Sequence, residues 1–386
     1  MATPTHLRRL NQRRMVYTLM RLGTASRADL AKATGLSQPT AGKIADELLT
    51  AGVLEQGEDA GANGAGNGVR RMGRPGQLLR LDRQTPRFLA IQLGVVQTRL
   101  AMLPVAAQEQ DDWAVQVPAA AGPGEWVEQL RKAARQLRPA QPQAVLLSVP
   151  GVVNERSGQV LLCPNLRWAE SANLTELVRN VWKGPVCIVQ EIRALALGHQ
   201  AIESPGEDFL LVDFGDGVGG AAVINGELFE SPIPLSGELG HTPVLGNQRR
   251  CGCGAVGCVE TLVSRRGLLE TFAAQTRQSR SWQALSEHIA DRGVQPWLAS
   301  ALDAAAVTIA GALNVLGARR AVITGSLTEL PEPAMQHLCA AVVRGAMWAR
   351  FGEVICQSAP RRRTAGLVSA AIDRILLADD PATAGV

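Results

Sequence analysis

The feature that most constrains the fold of this chain is an alternation of apolar strands and helices that begins near Phe88. This order predicts α/β layering with largely parallel sheets. We expect two such units, over residues 84–195 and 196–386, with the C-terminal helix returning to the first unit. The strand candidates are FLAIQLGVV, AVLLSVPGVV, VCIVQEI, FLLVDFGDGVGGAAVING and RRAVITGSL, and the helix candidates include WVEQLRKAARQL and ALDAAAVTIAGALNVLG.

The first 83 residues differ from the rest of the chain in charge. They contain thirteen Lys and Arg against seven Asp and Glu, a balance of about +6, whereas the whole chain of 386 residues carries +4. Only this segment therefore favours an anionic partner. The composition, with 46% hydrophobic and 19% charged residues, is that of a globular protein. The length predicts two or three domains.

Two short helices with a tight turn between them are predicted within residues 26–56. Ser26 is an N-cap candidate and Gly35 a helix stop, with Leu30 and Ala33 on the apolar face of the first helix. The second helix begins near residue 37, and its polar face is typical of a recognition helix that enters a DNA major groove. An ordinary helical hairpin is the alternative. The residues that we assign to DNA contact here are Ser37, Gln38, Thr40 and Lys43.

Two strand candidates, VLEQ and QLLRLD, flank a glycine-rich stretch that ends in three arginines. A flexible linker has a similar composition. Arginines flanked by Gly and Pro also suit a narrow minor groove, where negative potential is focused. The helix pair, the strand pair and the basic arm in series predict a winged helix-turn-helix DNA-binding domain over residues 1–83. The arginines assigned to DNA contact are Arg70, Arg71 and Arg74.

One histidine and three cysteines within residues 241–258 predict a metal site. The chain has seven cysteines, and three of them lie inside eight positions, which does not indicate a disulfide framework. Thiolate sulfur and imidazole nitrogen are the donors that Zn²⁺ prefers, and three Cys with one His complete a tetrahedral structural site. Free cysteines buried as small hydrophobes are the alternative. The predicted zinc ligands are His241, Cys251, Cys253 and Cys258.

Four motifs resemble those of the ROK family of sugar kinases and sugar-responsive repressors. They are CPNLRW at 163–168, FGDGVGG at 214–220, GELGH at 237–241 and CGCGAVGCVE at 251–260. The resemblance implies a two-lobed actin-like (ribonuclease H-like) ATPase-type fold and the same four zinc ligands. Because a winged helix-turn-helix precedes this part, the chain is similar to the repressor branch of the family rather than to the stand-alone kinases.

The resemblance also assigns a set of residues to a sugar site. Carboxylates such as Glu238 suit vicinal diols because each oxygen accepts a hydroxyl hydrogen. His241 has two ring nitrogens, so one can bind zinc while the other reaches a sugar. The pair Gln190 and Glu191 stands where the kinases have Asn and their general base, an Asp. The predicted sugar-binding residues are Asn165, Gln190, Glu191, Glu238, His241 and Glu260.

The nucleotide side departs from the pattern of the kinases that this chain resembles. Gln92 stands where they have an Asp on the first strand, and a neutral amide cannot hold magnesium and phosphate as a carboxylate does. Asp216 replaces their usual Thr and would repel phosphate. Glu191, at the position of the general base, is longer than Asp by one methylene. We therefore predict no catalytic residue and no enzyme activity.

These features favour a transcriptional regulator of carbohydrate genes, a repressor or an activator, that senses a sugar or sugar phosphate. The alternatives are an active ATP-dependent, glucokinase-like sugar kinase with an appended DNA-binding segment, and a regulator that answers to a protein partner. We expect a homodimer, or a dimer of dimers, on double-stranded operator DNA because each recognition helix covers one half-site. The start lacks the apolar run of a signal peptide, and no later stretch is expected to reach the roughly 18 to 20 apolar residues of a membrane span, which predicts a cytoplasmic protein.

Overall fold

The computed structural model of the protein describes residues 4–57, 77–106, 113–137, 141–203, 207–231, 233 and 235–377, with the backbone alone at residues 4–6. Its elements form an N-terminal unit of helices with a three-stranded sheet, followed by two lobes that are each built on a five-stranded sheet. The division of the chain after residues 83 and 195 remains a prediction, and its second boundary lies within the helix Glu191–Ile202.

The N-terminal unit consists, in chain order, of α1 (Pro4–Leu22), β1 (Ala25–Ser26), α2 (Arg27–Thr34), α3 (Gln38–Thr50), β2 (Leu54–Gln56) and β3 (Leu78–Leu81). Its strands are antiparallel in the order β1-β3-β2. The two predicted helices are α2 and α3, and the two predicted strands are β2 and β3. The first helix, α1, was not predicted.

Local sequence sets the bounds of α2. The Ser26 hydroxyl accepts a hydrogen bond from the Asp29 backbone N–H at 3.1 Å, and the Asp29 carboxylate accepts one from the Ser26 backbone N–H. This capping box satisfies two N–H groups that the helix leaves unpaired. Gly35 ends the helix at φ 70°, a left-handed conformation that favours glycine. The predicted cap and stop of α2 are both confirmed.

The buried face of α2 differs in part from the prediction. Leu30 is buried as expected, but Ala33 is exposed, and Ala31 and Thr34 are buried instead. The reason is the unpredicted helix α1, which packs against α2. The Arg14 side chain of α1 donates a hydrogen bond to the Thr34 carbonyl at 3.0 Å.

The first lobe contains a five-stranded sheet in the order β10-β7-β4-β5-β6. Strands β8 and β9 form a separate two-stranded sheet. The elements are β4 (Phe88–Leu93), β5 (Gln97–Leu103), β6 (Val115–Pro118), α4 (Pro123–Ala134), β7 (Ala144–Val149), β8 (Val152–Asn154), β9 (Gln159–Leu162), a 3₁₀ turn (Arg167–Ala169), α5 (Leu174–Arg179), β10 (Val186–Gln190) and α6 (Glu191–Ile202).

The second lobe contains a five-stranded sheet in the order β13-β12-β11-β14-β15. Its elements are β11 (Phe209–Phe214), β12 (Val218–Ile224), β13 (Glu227–Leu228), a 3₁₀ turn (Leu239–His241), α7 (Glu260–Val263), α8 (Arg265–Thr276), α9 (Trp282–Arg292), α10 (Pro296–Leu316), β14 (Arg320–Gly325), a 3₁₀ turn (Ser326–Glu329), α11 (Glu332–Gly345), a 3₁₀ turn (Met347–Arg350) and β15 (Ile355–Ser358). After β15 the chain continues into α12 (Arg363–Ala371) and a π-helical turn (Ile372–Leu376).

The prediction of largely parallel sheets is wrong, because both five-stranded sheets are mixed. In each of them two of the four strand pairings are parallel and two are antiparallel. The antiparallel pairs join strands that follow each other directly in the chain, whereas the parallel pairs are connected through helices, as their geometry requires. The predicted strand FLLVDFGDGVGGAAVING is accordingly a hairpin of β11 and β12.

Helices α6 and α12 cross each other closely. A Cβ atom added at Gly198 of α6 would lie 1.8 Å from the Arg362 carbonyl oxygen, and one added at Gly366 of α12 would lie 1.7 Å from the Ala194 carbonyl oxygen. Glycine at both positions therefore permits the crossing. Helix α12 also packs on β4, β7 and β10 of the first lobe, so the chain returns to the first lobe after completing the second.

One apolar core joins the N-terminal unit to the first lobe. Met15, Val16 and Leu19 of α1 are almost fully buried in the same cluster as Phe88 of β4 and Val368 of α12. Burial of a side chain of this kind stabilises the fold by roughly 1.5–3 kcal/mol. The N-terminal unit is thus docked on the first lobe through α1.

Helix α10 corrects the expectation that no stretch of the chain reaches the length and apolarity of a membrane span. It has 21 residues with a mean hydropathy of 1.6 over its most apolar window. Eight of its side chains are buried, and Leu298, Ile309 and Leu313 are among those that pack in the core of the second lobe.

Candidate functional site

A cavity of about 490 Å³ lies between the two lobes, where the carboxyl ends of strands from both sheets meet. Gln92 of β4 and Gln190 of β10 line it from the first sheet, and Asp213 of β11 lines it from the second. This edge of an open α/β sheet is where ligands bind in many proteins. All of the residues that we assign to sugar binding line this one cavity, namely Asn165, Gln190, Glu191, Glu238, His241 and Glu260.

Gln190, Glu238 and His241 form a chain of polar contacts in the cavity wall. The Gln190 Nε2 donates to Glu238 Oε1 at 3.2 Å, and Glu238 Oε2 lies 3.6 Å from His241 Nε2. Burial raises the pKa of Glu238 above its ordinary value, while His241 and the hydrogen bond from Gln190 lower it. The Glu238 carboxylate is therefore held in place by two side chains, with its oxygens on the cavity.

Glu260 is the first residue of α7, and its two oxygens face different parts of the site. Oε2 accepts a hydrogen bond from the Val218 backbone N–H at 2.9 Å, and Oε1 lies 3.7 Å from Cys251 Sγ. Gly217 lies beside this carboxylate, and an added Cβ there would meet Glu260 Oε2 at 3.0 Å. The hairpin turn between β11 and β12 thus packs directly on Glu260.

Glu191 and Asn165 have different surroundings from Glu238. Glu191 is the first residue of α6 and forms an ion pair with Arg363, the first residue of α12. The Arg363 side chain is 9% exposed and that of Glu191 is 29% exposed, so this pair closes one wall of the cavity. Asn165 is exposed at the rim, in the loop that follows β9.

The four predicted metal ligands come together in the second lobe, directly behind the cavity wall. The ligand atoms of His241, Cys251, Cys253 and Cys258 all lie within 4.8 Å of one another. Cys253 Sγ is 3.8 Å from Cys258 Sγ, and Cys251 Sγ is 3.6 Å from His241 Nδ1. A tetrahedral ion with metal–sulfur bonds of about 2.3 Å and metal–nitrogen bonds of about 2.0–2.1 Å requires separations of about 3.8 and 3.6 Å. The donors therefore fit a metal ion.

Side chains around the cluster hold its loop. Asn247 donates from Nδ2 to the Cys258 carbonyl at 3.1 Å and to Thr261 Oγ1 at 2.9 Å. Arg249 donates to the Thr261 carbonyl at 2.8 Å. Gly257 has φ +90°, and an added Cβ would meet the Asn247 carbonyl at 2.8 Å, so this turn requires glycine. The bracing role of Asn247 and Arg249 was not predicted from the sequence.

An ion pair that the sequence analysis did not find fills the other side of the cavity. Arg361 donates from Nε and Nη2 to the two carboxylate oxygens of Asp213, at 2.7 and 2.8 Å. Thr324 donates to the same carboxylate at 2.7 Å. A Cβ added at Gly215 or at Gly325 would lie within 2.8 Å of Arg361 Nη2. The guanidinium thus occupies the space between two glycine turns that line the cavity.

Two residues that depart from the kinase pattern, Gln92 and Asp216, line the same cavity as this ion pair. The Oε1 atom of Gln92 is buried and has no hydrogen-bond partner among the residues that the structure describes. Asp216 is exposed at the turn between β11 and β12.

The residues assigned to DNA contact on α3 lie together on the surface, at the N-terminal end of the helix. Ser37 caps the helix by accepting a hydrogen bond from the Thr40 backbone N–H at 3.3 Å, and the two hydroxyls are 2.8 Å apart. Exposed residues on this surface are Ser37, Gln38, Thr40 and Lys43. The remaining assigned residues lie outside the described part of the chain; they are Arg70, Arg71 and Arg74.

The sequence profile of the ROK family matches residues 88–372. The chain belongs to the ROK family. The resemblance that the four motifs indicated is thereby confirmed.

Relatives of this ROK protein include repressors and kinases. A xylose repressor of Caldicellulosiruptor bescii is 27% identical over 316 residues, which are 76% of this chain and 75% of that protein. An N-acetylmannosamine kinase of Shigella boydii serotype 18 is 29% identical over 181 residues, which are 47% of this chain and 62% of the kinase. The match to the kinase spans less than two thirds of its length.

Solved structures show the same fold. The crystal structure of a ROK family transcriptional regulator, a homolog of the E. coli MLC protein, matches with a TM-score of 0.74 at 20% identity and covers 96% of this chain and 97% of that one. A ROK hexokinase from Thermus thermophilus matches with a TM-score of 0.60 at 22% identity and covers 74% of this chain and 97% of that one. The actin-like sugar-kinase fold that the resemblance implied is thus present.

Proposed function

We propose that this ROK protein is a DNA-binding transcriptional repressor of carbohydrate genes, and that its cavity binds the sugar to which it responds. The observation that carries this proposal is the contrast between the two sides of the cavity. Glu238, Gln190 and His241 keep a sugar-facing set of donors and acceptors, whereas Arg361 fills the opposite side. The similarity to a xylose repressor and to the fold of a ROK transcriptional regulator over 96% of the chain supports it.

The N-terminal unit is proposed to be a winged helix-turn-helix. Helices α2 and α3 form the helix pair, and the antiparallel strands β2 and β3 form the base of the wing. Gln38 and Lys43 are exposed on α3, where a recognition helix presents side chains to the edges of the bases. Arg70, Arg71 and Arg74 are assigned to salt-sensitive backbone or minor-groove contacts. A homodimer would place two such helices on a two-fold operator.

The charge of the cavity favours a neutral sugar over a sugar phosphate. Six carboxylates and four arginines line it within the described chain. Three of the arginines are already paired with carboxylates, in the pairs Arg361–Asp213, Arg363–Glu191 and Arg265–Glu329. Two unit charges of like sign 4 Å apart repel by about 4 kcal/mol at an effective dielectric constant of about 20. Asp216, Glu238 and Glu260 remain without an arginine partner in the described lining, against the single remaining Arg99, so the lining on balance repels a phosphate group.

The cluster of His241, Cys251, Cys253 and Cys258 is proposed to hold a structural Zn²⁺. Three sulfurs and one imidazole nitrogen are a closed tetrahedral donor set, and the distances between them fit Zn²⁺. Bound zinc would fix the orientation of His241, whose Nε2 faces Glu238. The metal would thus stabilise the wall of the sugar site and take no part in a reaction.

The second candidate function is an active sugar kinase, which the similarity to N-acetylmannosamine kinases favours. Three observations weigh against it. Gln92 has no carboxylate for a metal ion, Arg361 holds the Asp213 carboxylate from both oxygens, and Glu191 is paired with Arg363. A general base needs a carboxylate oxygen that can reach the substrate hydroxyl, and Arg363 already engages Glu191 Oε1. We therefore propose that the protein is not an enzyme. The similarity to a xylose repressor supports the separate proposal that it acts in the cytoplasm.

A thermal-shift titration tests the sugar site. The ligands are D-xylose, D-glucose and N-acetyl-D-mannosamine, each compared with its phosphate ester. We expect at least one free sugar to stabilise the protein, by about 2.7 kcal/mol when its concentration is one hundred times the Kd, and its phosphate to stabilise less. Glu238→Gln should abolish the shift, whereas Glu329→Gln, on the opposite side of the cavity, should retain it. Stronger stabilisation by the phosphates would contradict the preference for a neutral sugar.

Selection of duplex DNA from a random pool tests the DNA-binding unit. We expect a two-fold sequence to be enriched, and its affinity to fall with rising salt. Lys43→Ala should weaken binding, whereas Lys132→Ala, an exposed lysine of α4 in the first lobe, should not. Absence of any enriched sequence, with equal binding by both variants, would refute the proposed repressor function.

A further inference from the structure

A series of polar contacts connects helix α1 of the N-terminal unit to the sugar cavity. It begins at Asp373, in the π-helical turn that follows α12. Asp373 Oδ2 lies 3.2 Å from Arg13 Nε, and it accepts a hydrogen bond from the Tyr17 hydroxyl at 3.2 Å. Tyr17 also contacts the Ser369 hydroxyl at 2.5 Å, and Arg9 donates to the Asp373 carbonyl. Three side chains of α1 thus meet one turn of the C-terminal segment.

The next residue, Arg374, continues the series into the first lobe. Its Nη2 donates to Glu155 Oε2 at 2.7 Å and its Nη1 donates to the Ile188 carbonyl of β10 at 3.0 Å. The other oxygen of Glu155, Oε1, accepts the backbone N–H of Gln190 at 2.8 Å and lies 3.0 Å from Arg193 Nε. The side chains of Glu155 and Arg193 are only 13% and 11% exposed. This ion pair is therefore weakly screened by salt.

Gln190 joins this series to the sugar site. Its backbone N–H is bound by Glu155, while its side chain donates to Glu238. Helix α6, which begins at the adjacent Glu191, packs against α1. A sugar whose hydroxyls bind Glu238 competes with Gln190 for the same carboxylate oxygens. A change at Gln190 would then reach Glu155 directly through the backbone.

We propose that Glu155 and Asp373 are positioning residues that couple sugar binding in the cavity to the placement of α1 on the first lobe. This inference rests on the proposed function. Neither residue lines the cavity, and neither is among the exposed residues of α3. Glu155 contacts Arg374 with one carboxylate oxygen and Arg193 with the other, so a shift of either arginine changes the contact with the other. Asp373 precedes Arg374 in the chain, and its carboxylate contacts Arg13 and Tyr17 of α1. The π-helical geometry of the turn around Asp373 is of a kind that occurs often at functional sites.

A purely structural role is the alternative, because the same contacts also hold α1 against the first lobe. The two roles differ in what a substitution changes. Loss of a structural contact lowers the melting temperature and leaves the ratio between two operator affinities unchanged. Loss of a coupling contact changes that ratio, even where sugar binding and DNA binding each persist.

The experiment measures the operator Kd by fluorescence anisotropy, with and without a sugar. The operator is the duplex obtained by selection, and the sugars are D-xylose, D-glucose and N-acetyl-D-mannosamine. In the parent protein we expect one sugar to change the Kd by about 5- to 150-fold. In Glu155→Gln and in Asp373→Asn, which keep the size of the side chain, we expect the change to fall below about two-fold. Thermal shift should show that both variants still bind that sugar.

Glu207→Gln is the matched control. Glu207 is paired with Arg320 at 2.9 Å in the second lobe, outside the series of contacts, and we expect this variant to keep the sugar response of the parent. Tyr17→Phe is a second test that preserves packing, because it removes only the hydroxyl that contacts Ser369 and Asp373. We expect Tyr17→Phe to reduce the sugar-induced change in the operator Kd. This variant keeps the proposal testable if Asp373→Asn does not fold.

Hydrogen exchange of residues 186–193 gives a readout that does not require a sugar. By reciprocity, operator binding should alter exchange in this peptide, which contains the Gln190 N–H held by Glu155. Asp373→Asn should abolish that effect although it leaves the Glu155–Gln190 bond intact. An unchanged sugar response in both amide variants would overturn the coupling and leave the proposed function standing. A parent protein without operator binding, or without any sugar response, would overturn the proposed function and the coupling with it.

Discussion

The crossing of α6 and α12 gives a stability prediction that can be worked from distances. In Gly198→Ala the added methyl group would lie 1.8 Å from the Arg362 carbonyl oxygen, whereas real Cβ contacts are essentially never shorter than 3.0 Å. The two helices must therefore separate by at least about 1.2 Å at this point. Overpacking of this kind typically costs about 1–3 kcal/mol. This cost is partly offset because alanine is more favourable than glycine inside a helix by about 0.8–1 kcal/mol.

Gly311→Ala is the matched control for this substitution. Gly311 also lies inside a helix, α10, but nothing stands within 4 Å of an added Cβ there. The propensity gain is common to both variants, so the difference in their free energies of unfolding isolates the clash. We expect Gly311→Ala to be more stable than the parent by about 0.8–1 kcal/mol, and Gly198→Ala to be less stable than Gly311→Ala by about 1–3 kcal/mol.

Denaturant unfolding of the parent and both variants measures these differences. Because α6 begins at Glu191 in the cavity wall, we also expect Gly198→Ala to weaken sugar binding, whereas Gly311→Ala should not. Equal stability of the two alanine variants would refute the reasoning, since it would mean that the crossing tolerates a methyl group.

Three further predictions concern the metal, the chemistry and the pH dependence. Cys253→Ser should bind less zinc than the one ion per chain expected of the parent, and it should have a lower melting temperature. Elemental analysis and thermal unfolding measure the two effects. Cys356→Ser, the control, should keep the metal. ADP production with hexoses, pentoses and amino sugars should stay far below the usual kinase range of about 1–100 per second, and Gln92→Asp should not restore it because Arg361 still holds Asp213. Burial lowers the pKa of His199 from its ordinary 6.5. As the pH falls below 6.5, His199 therefore binds a proton more readily in the unfolded chain than in the folded protein. The free energy of unfolding should therefore decrease in this range, and less so in His199→Gln; equal pH profiles would contradict this.

The α/β lobes were predictable because buried strands read as short apolar runs. The strand candidates correspond to β4, β7, β10, the β11–β12 hairpin and β14. Strand direction was less predictable, because an apolar run does not show whether the adjacent strand in the sheet is connected to it by a hairpin or by a helix. Helix α1 was missed because it buries Met15, Val16 and Leu19 against the first lobe, and that partner surface lies far away in the sequence.

The candidate site also has one part that could be predicted from the sequence and another that could not. The metal cluster was predictable because its four ligands lie within eighteen positions, 241–258. The ion pair of Arg361 with Asp213 joins residues 148 positions apart, and that of Arg374 with Glu155 spans 219 positions. Such pairs leave no local pattern in the sequence. Only the fold shows that Arg361 and Asp213 meet in the wall of the cavity, and that Glu155 contacts both Gln190 in the cavity wall and Arg374 beside Asp373.

The most direct test of the account is the affinity of the purified protein for its selected operator with and without the sugar that stabilises it. A sugar-responsive repressor should bind the operator about 5- to 150-fold more weakly in the presence of the sugar, and Glu238→Ala should bind it equally in both conditions. An operator affinity that the sugar leaves unchanged in the parent, together with ATP-dependent phosphorylation of that sugar, would contradict the account and identify the protein as a kinase.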